Sequence, residues 1–249
     1  MPFNLLHAHA TAMLLAWMVF ASTGILFARY GRSIRLGNRR QLLGKALWFQ
    51  IHRFLLSLNP LFTLLGFFFI IVFARGRWVD PRTYDMRLFL HSVFGGIIVV
   101  CVIVQMWLAL YRCHPHSRFR FIFDWSHRVI GFLTYSLSFP TFFLIFVLLP
   151  KYRTSLTIIM SLWTVWTVMI VMALERIERQ QKRPAQVPGR VTDITQVTNQ
   201  GNTVAPDTES GSNINGENRR LNQLKMLLLL LNVLVSCSLT IVCIVCICS

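Results

Sequence analysis

Six long apolar stretches constrain the fold of this chain more than any other feature. They cover roughly residues 5–27, 47–73, 88–111, 126–149, 155–174 and 226–248. A helix that crosses the hydrocarbon of a bilayer needs about 20 predominantly apolar residues. Backbone groups in lipid have to be hydrogen-bonded within the protein, which favours helices for runs of this length. The sequence therefore predicts an all-α, polytopic membrane protein with about six transmembrane helices.

Composition supports a membrane protein rather than a soluble one. Of the 249 residues, 55% are hydrophobic and only 14% are charged. The formal net charge of +16 would suit a nucleic-acid-binding protein, but the basic residues lie mainly between the apolar stretches. We therefore expect the lipid bilayer, and no nucleic acid, as the partner of this charge.

The loops differ in basic charge, and this difference predicts the orientation of the chain. Most Lys and Arg residues fall in the first, third and fifth loops, whereas the second and fourth carry only Arg75, Arg77, Arg82, Arg87, Lys151 and Arg153. The positive-inside rule then places the first, third and fifth loops in the cytosol and both termini on the extracytoplasmic side. We expect an integral multi-pass protein of the plasma membrane or of an endomembrane vesicle.

One histidine lies near the start of each of the first four apolar stretches: His9, His52, His91 and His127. Because successive helices run in opposite directions, these histidines sort by depth into two pairs, His9 with His91 and His52 with His127. A lone histidine at a helix end is more often an interfacial residue. Ionisable residues in an apolar zone are costly and usually functional, however, and here they form a set of four. Two imidazoles at one depth supply the axial bonds of a b-type haem, so the sequence predicts two haem sites with these metal ligands.

Four further features of the sequence bear on metal binding. His7 and His9 point about 200° apart on a helix, so only one can face the bundle, and we choose the deeper His9. Gly95 and Gly131 each follow a histidine by four residues on the same helix face, which predicts space beside the imidazole, or simply close helix packing. From helix rise, the two pairs should lie roughly 20–25 Å apart along the membrane normal. The loop motif Cys113-His114-Pro115-His116 is read either as a transition-metal site or as a solvated loop.

The chain divides into three parts. Residues 1–175 hold five helices, of which the first four form the haem-binding core, with an aromatic-His-Arg repeat at His52-Arg53 and His127-Arg128. Pro60 and Pro140 follow in these two helices and should kink them. Residues 176–223 are polar and lack aromatics, which predicts a disordered cytosolic linker. Residues 224–249 then form a C-terminal transmembrane helix, interpreted as a detached anchor.

Four segments together resemble the cytochrome b561 domain family. They are Ala8-His9 with Trp17, Gly24 and Arg29-Tyr30; Trp48-Phe49 with His52-Arg53; His91 with Gly95, Gln105 and Arg112; and Asp124-Trp125-Ser126-His127-Arg128 with Gly131. The final hydrophobic helix after a polar loop is similar to the ferric-chelate reductase-like branch of that family. Members of this branch carry reelin and DOMON domains before the first helix. Here only residues 1–4 precede it, so we expect a short form or a gene fragment.

The resemblance implies two haem b groups, cytosolic ascorbate as the electron donor, and an acceptor on the opposite side of the membrane. The acceptor would be a ferric chelate, a cupric ion or the monodehydroascorbate radical. Candidates for holding ascorbate or the haem propionates at the cytosolic edge are Arg29, Lys45, Arg53, Arg112 and Arg128. Interfacial placement under the positive-inside rule explains these five equally well.

We therefore expect a transmembrane oxidoreductase that moves electrons from ascorbate to an outer ferric chelate, with no separate catalytic side chain. Two other classes stay open at this stage. The chain could be a haem-bearing subunit that passes electrons to a partner protein, or a scaffold that kept the fold without the activity. A homodimer is compatible with each of them.

Overall fold

The structure is a computed structural model that describes residues 4–32, 34, 41–42, 45–111, 118–182 and 208–249, without the side chains of 41, 42, 45 and 208–215. In this part of the chain, six long helices follow one another: α1 (Leu5–Tyr30), α2 (Leu47–Phe73), α3 (Met86–Leu110), α4 (Arg120–Phe146), α5 (Arg153–Lys182) and α6 (Thr208–Cys248). Each is long and apolar enough to cross a membrane. The predicted all-α polytopic membrane fold is therefore confirmed.

A short antiparallel strand pair between α1 and α2 was not predicted. Strand β1 (Gln41–Leu42) pairs with strand β2 (Lys45–Ala46), with Gln41 opposite Ala46. Two residues per strand make this a local turn rather than a sheet, so the helical class is unchanged. Helix α2 begins directly after β2, and His52 lies in its second turn.

Helix α1 is not a uniform α-helix. It consists of an α-helical segment (Leu5–Leu14), a π-helical segment (Leu15–Ala21) and a second α-helical segment (Ser22–Tyr30). Asn59 of α2 donates from Nδ2 to the carbonyl oxygen of Ala16, at 2.9 Å. Such a widened turn offers backbone carbonyls to neighbouring groups, and here a buried amide side chain takes one of them.

Helix α1 is also the most buried of the six helices. It packs against α2, α5 and α6, while α3 packs mainly against α4 and α5 against α6. The main core joins residues of five helices: Leu14, Trp17 and Met18 of α1 with Ile98, Phe142, Met160, Trp163 and Cys243. The outward faces of the other helices expose large apolar side chains, as expected of surfaces that contact lipid.

The linker predicted over residues 176–223 is wrong at both of its ends. Helix α5 continues to Lys182 and α6 begins at Thr208, so of the predicted linker residues 183–207 lie outside the described part of the chain. Ion pairs one turn apart support the extended end of α5, Glu175 with Arg179 at 3.5 Å and Glu178 with Lys182 at 3.3 Å. The polar composition was thus mistaken for disorder where it serves an exposed helix face.

The interpretation of the last helix as a detached anchor is also wrong. The side chain of Lys225 on α6 is fully buried and bonds to Glu178 and to Gln181 of α5. Farther along α6, Ser236 accepts a hydrogen bond from the Trp163 indole at 3.3 Å. Helix α6 therefore belongs to the bundle, because Lys225 and Ser236 dock it against α5.

Candidate functional site

The imidazole rings of His9 and His91 lie side by side. Their centroids are 6.5 Å apart and their planes are nearly perpendicular, at 82°. If each ring bound one metal ion from opposite sides through a bond of about 2 Å, the centroids would lie roughly 6 Å apart. The pair that the sequence predicts at this depth is therefore brought to a separation that suits two axial ligands.

Backbone carbonyls of neighbouring helices fix the orientation of three of the four rings. Nδ1 of His9 lies 2.8 Å from the carbonyl oxygen of Gly66, and Nδ1 of His91 lies 2.9 Å from that of Thr141. Nδ1 of His52 lies 3.0 Å from the carbonyl oxygen of Gly24. Since a carbonyl oxygen only accepts, Nδ1 has to be the donor, and a neutral ring then carries its lone pair on Nε2. This is the tautomer that second-shell carbonyls impose on metal-binding histidines.

These contacts also define two levels in the bundle, which we call the His9 level (His9 and His91) and the His52 level (His52 and His127). Helix α1 runs 15 residues from His9 to Gly24, the acceptor for His52. Helix α3 runs 14 residues from His91 to Gln105, which donates from Nε2 to the carbonyl oxygen of His127 at 2.8 Å. At 1.5 Å per residue, the two levels lie roughly 21 Å apart, within the range expected from the sequence.

An aromatic ring one turn earlier accompanies each histidine of the His52 level. The centroid of Phe49 lies 6.4 Å from that of His52, and Phe123 stacks on His127 at 6.0 Å with an interplanar angle of 3°. Sequence reasoning gave the phenylalanines no special role because the chain contains 20 of them. The aromatic three or four positions before the histidine is the signal that could have identified these two.

The glycines near the histidines fall into two kinds. A Cβ atom added at Gly95 would meet no other atom within 4 Å, so the predicted space one turn from His91 exists. A Cβ at Gly131 would lie 3.4 Å from Nε2 of Gln105, so this position serves close packing. Both glycines follow a histidine by four residues, but only Gly95 borders open space.

Gly24 and Gly66 have a role that sequence reasoning missed. A Cβ at Gly24 would come within 2.6 Å of Leu56 Cδ2, and one at Gly66 within 3.2 Å of Ala12 Cβ. Both glycines therefore permit the close approach of α1 and α2 that brings their carbonyl oxygens to His52 and His9. Backbone acceptors leave no mark in side-chain patterns, although Gly24 belongs to the motif of the first helix.

The basic candidates at the His52 end of the bundle are used differently. Arg29 donates from Nη2 to Glu175 at 2.8 Å and from Nε to the Tyr30 hydroxyl at 3.1 Å, which ties α1 to α5. Arg53 and Arg128 take part in no ion pair among the described residues. Two arginines next to histidine ligand candidates thus keep their charge available, whereas that of Arg29 is compensated by a carboxylate.

Two further candidates cannot be located in the site. Lys45 lies in strand β2, seven residues before His52, and its side chain lies outside the described residues. Arg112 lies wholly outside them, as does the motif Cys113-His114-Pro115-His116. The roles expected for these residues stay predictions.

The donor set fits a haem. The separation of the two imidazoles at the His9 level suits one metal ion between them, and the carbonyl contacts orient three of the four rings. Space lies open beside His91 at Gly95, on the same face of α3. These features are what a flat porphyrin held by two histidines requires of a helical bundle.

Comparison with known proteins points to one group of relatives. Over 127 residues, the chain is 32% identical to ferric-chelate reductase 1 of Homo sapiens and 34% identical to ferric-chelate reductase 1 of Mus musculus. Each match covers 51% of this chain and 20% of the relative, so the chain spans about a fifth of the length of these curated relatives. No protein-family model and no solved structure matches the chain. The resemblance predicted from the histidine motifs is confirmed by these similarities.

Proposed function

We propose that this chain, a ferric-chelate reductase-like member of the cytochrome b561 family, carries single electrons across a membrane through two bis-histidine b-type haems. The donor is cytosolic ascorbate, and the acceptor is an extracytoplasmic oxidant such as a ferric chelate. Each haem would supply a one-electron exchange between ferric and ferrous iron. The contact between His9 and His91, at 6.5 Å and 82°, carries this proposal.

Two haems would be held by these histidines, one by His9 with His91 and the other by His52 with His127. The carbonyl oxygens of Gly24, Gly66 and Thr141 hold the rings of the first three in one orientation. A ring whose Nδ1–H is bonded to a carbonyl is a better donor at Nε2 and does not rotate away from the metal.

Ascorbate is an anion at neutral pH and has to approach the His52 level from the aqueous phase. Arg53 and Arg128 follow the two histidines of that level directly and are not compensated by a carboxylate among the described residues. We propose that they attract ascorbate, which gives up one electron and one proton and leaves as the monodehydroascorbate radical. Positive charge at the entry also raises the rate of encounter with an anion.

On the opposite side, the loop between α2 and α3 carries Arg75, Arg77 and Arg82, all exposed. Ferric iron reaches such a surface as an anionic chelate, for instance with citrate. The field of the three arginines would concentrate this chelate near the His9 level, where its iron accepts one electron. The site therefore needs no dedicated iron ligands.

A reduced-minus-oxidised absorbance spectrum of the purified protein tests the proposal, with haem per chain quantified and ascorbate as reductant. We expect two six-coordinate b-type haems per chain, both reduced by ascorbate, and their reoxidation by ferric citrate. His91→Leu and His52→Leu should each leave about one haem. His7→Leu, a histidine two positions from a ligand candidate, is the matched control and should keep both.

The outcomes separate this proposal from its competitors. Haem that ascorbate reduces but ferric citrate does not reoxidise would identify a subunit that passes electrons to a partner protein. A purified, folded protein without haem, or with haem inert to ascorbate, would identify a scaffold.

We further propose that the chain resides in the plasma membrane or in an endomembrane vesicle with both termini extracytoplasmic, and that it can form a homodimer.

A further inference from the structure

Arg87 occupies a position that sets it apart from the other arginines near the His9 level. It lies in the first turn of α3 and lines a cleft against α4 together with Pro140, Phe143, Leu144 and Val147. The remaining lining is apolar, so the guanidinium is the only charged group among these lining residues. Pro140 directly precedes Thr141, whose carbonyl oxygen accepts from His91. The cleft therefore adjoins the His9 level on the side of the membrane surface.

Arg87 also shares a helix face with the ligand candidate of α3. Arg87, His91 and Gly95 follow one another at intervals of four residues, so they form one stripe along α3. The arginine lies about one turn closer to the surface than the imidazole, and the open space at Gly95 lies one turn deeper. A flat group bound through His91 would therefore have apolar room on its deep side and a cation on its surface side.

The charge of Arg87 is available for a ligand. No ion pair among the described residues includes Arg87. Asp85, two residues earlier, accepts instead from the backbone N–H of Arg87 at 2.7 Å and caps the helix. A cation among the apolar residues that line a cleft favours an anionic group attached to an apolar body.

We propose that Arg87 binds a propionate carboxylate of the haem held by His9 and His91, and thereby raises the reduction potential of that haem. This inference rests on the proposed function. Carboxylates avoid the hydrocarbon, so the propionate edge of this porphyrin should face the membrane surface, where Arg87 stands above His91 on the same face. The guanidinium offsets negative charge beside the iron, and the ferrous form, which carries one positive charge fewer, gains more from this cation than the ferric form does.

A spectroscopic redox titration of the purified haem protein tests the proposal, with Arg87→Gln compared to Arg82→Gln. Arg82 is a matched control, since its backbone N–H is likewise bonded to the aspartate two residues before it, at 2.9 Å. In Arg87→Gln, the ratio of ferrous to ferric haem at fixed potential should fall about threefold to tenfold for one haem only, where tenfold is 59 mV for one electron. The other haem is an internal reference, and Arg87→Lys should restore part of the shift.

The outcomes distinguish a propionate contact of Arg87 from other roles of this residue. Equal potentials in Arg87→Gln and Arg82→Gln, with two haems present, would overturn the propionate contact and leave the cleft to a lipid anion. Loss of only one haem in Arg87→Gln would support the contact. If Arg87→Gln does not fold, Arg87→Met replaces it in the same redox titration, because methionine keeps the apolar stem of the side chain. Absence of haem from the unmodified protein would instead contradict the proposed function itself.

Discussion

Nδ1 of His52 on α2 donates to the carbonyl oxygen of Gly24 on α1, at 3.0 Å. The contact has a counterpart at the other level, where His9 of α1 donates to Gly66 of α2 at 2.8 Å. Each of the two helices thus contributes a histidine to one level and a backbone acceptor to the other. The pair α1–α2 orients one ring at each level, and any change in its spacing acts on both.

Gly24→Val should disrupt the His52 level first. A Cβ at this position would lie 2.6 Å from Leu56 Cδ2 and 3.3 Å from Leu55 Cβ, so α1 and α2 have to separate there. We expect haem content to fall from two to about one per chain, measured as pyridine haemochrome per mole of protein. Gly216→Val is the control, since a Cβ at Gly216 meets nothing within 4 Å. Full haem content in Gly24→Val would show that the close contact of α1 and α2 is dispensable.

Gly95→Leu separates the porphyrin space from helix packing. A Cβ at Gly95 meets no protein atom within 4 Å, so the protein itself should tolerate the larger side chain. We expect the thermal unfolding midpoint of haem-free protein to be unchanged, while the haem of the His9 level is lost. The absorbance spectrum and a thermal melt in the same detergent measure the two effects. Two haems in Gly95→Leu would contradict a porphyrin that lies against this face of α3.

Lys225→Met should weaken the attachment of α6 to the bundle. The side chain of Lys225 is fully buried, and its loss leaves the carboxylate of Glu178, only 19% exposed, without this partner. Removing one partner of a buried ion pair lowers the free energy of unfolding by about 3 kcal/mol or more. The contact of Glu178 with Lys182 should reduce this loss. Stability against denaturant in detergent is the measurement. Combining Lys225→Met with Glu178→Leu should recover part of the stability, and a double mutant that simply adds both losses would contradict the coupling.

The arginines at the His52 end should differ in their effect on ascorbate. Arg53→Gln and Arg128→Gln should each raise the apparent KM for ascorbate severalfold, because their charge is not compensated among the described residues. Arg29→Gln should leave KM unchanged, since Glu175 already neutralises Arg29 at 2.8 Å. Stopped-flow reduction of the haem over a range of ascorbate concentrations measures this, and added salt should weaken the effect of Arg53 and Arg128. An equal rise in the KM for ascorbate in Arg29→Gln would show that Arg29 also contributes to the ascorbate site.

The sequence was sufficient for those features that depend on local pattern. Apolar length predicts the six helices, and alternation of direction predicts that His9 and His91 lie at one depth, because both statements follow from considering one helix at a time. Their separation by roughly 21 Å follows in the same way from helix rise. These features need no knowledge of which helices are neighbours.

The features that the sequence did not predict depend on contacts between helices. Acceptors such as the carbonyls of Gly66 and Thr141 are backbone atoms that every residue possesses, so no side-chain pattern distinguishes them. The polar run around Glu178 was read as a linker because its partner Lys225 is 47 residues away in the chain. Composition reports how polar a segment is, and only the neighbouring helix decides whether that polarity is solvated or paired.

The π-helical segment of α1 has a consequence for how residues are spaced between the two levels. Between the two levels, α2 and α4 each span 14 residues, from His52 to Gly66 and from His127 to Thr141, whereas α1 spans 15 from His9 to Gly24. A turn closed by i→i+5 bonds holds one residue more than an α-helical turn. The segment Leu15–Ala21 therefore absorbs an inserted residue that would otherwise rotate His9 about 100° away from Gly66. Deletion of one residue from this segment would give α1 the same 14-residue span between the levels that α2 and α4 have.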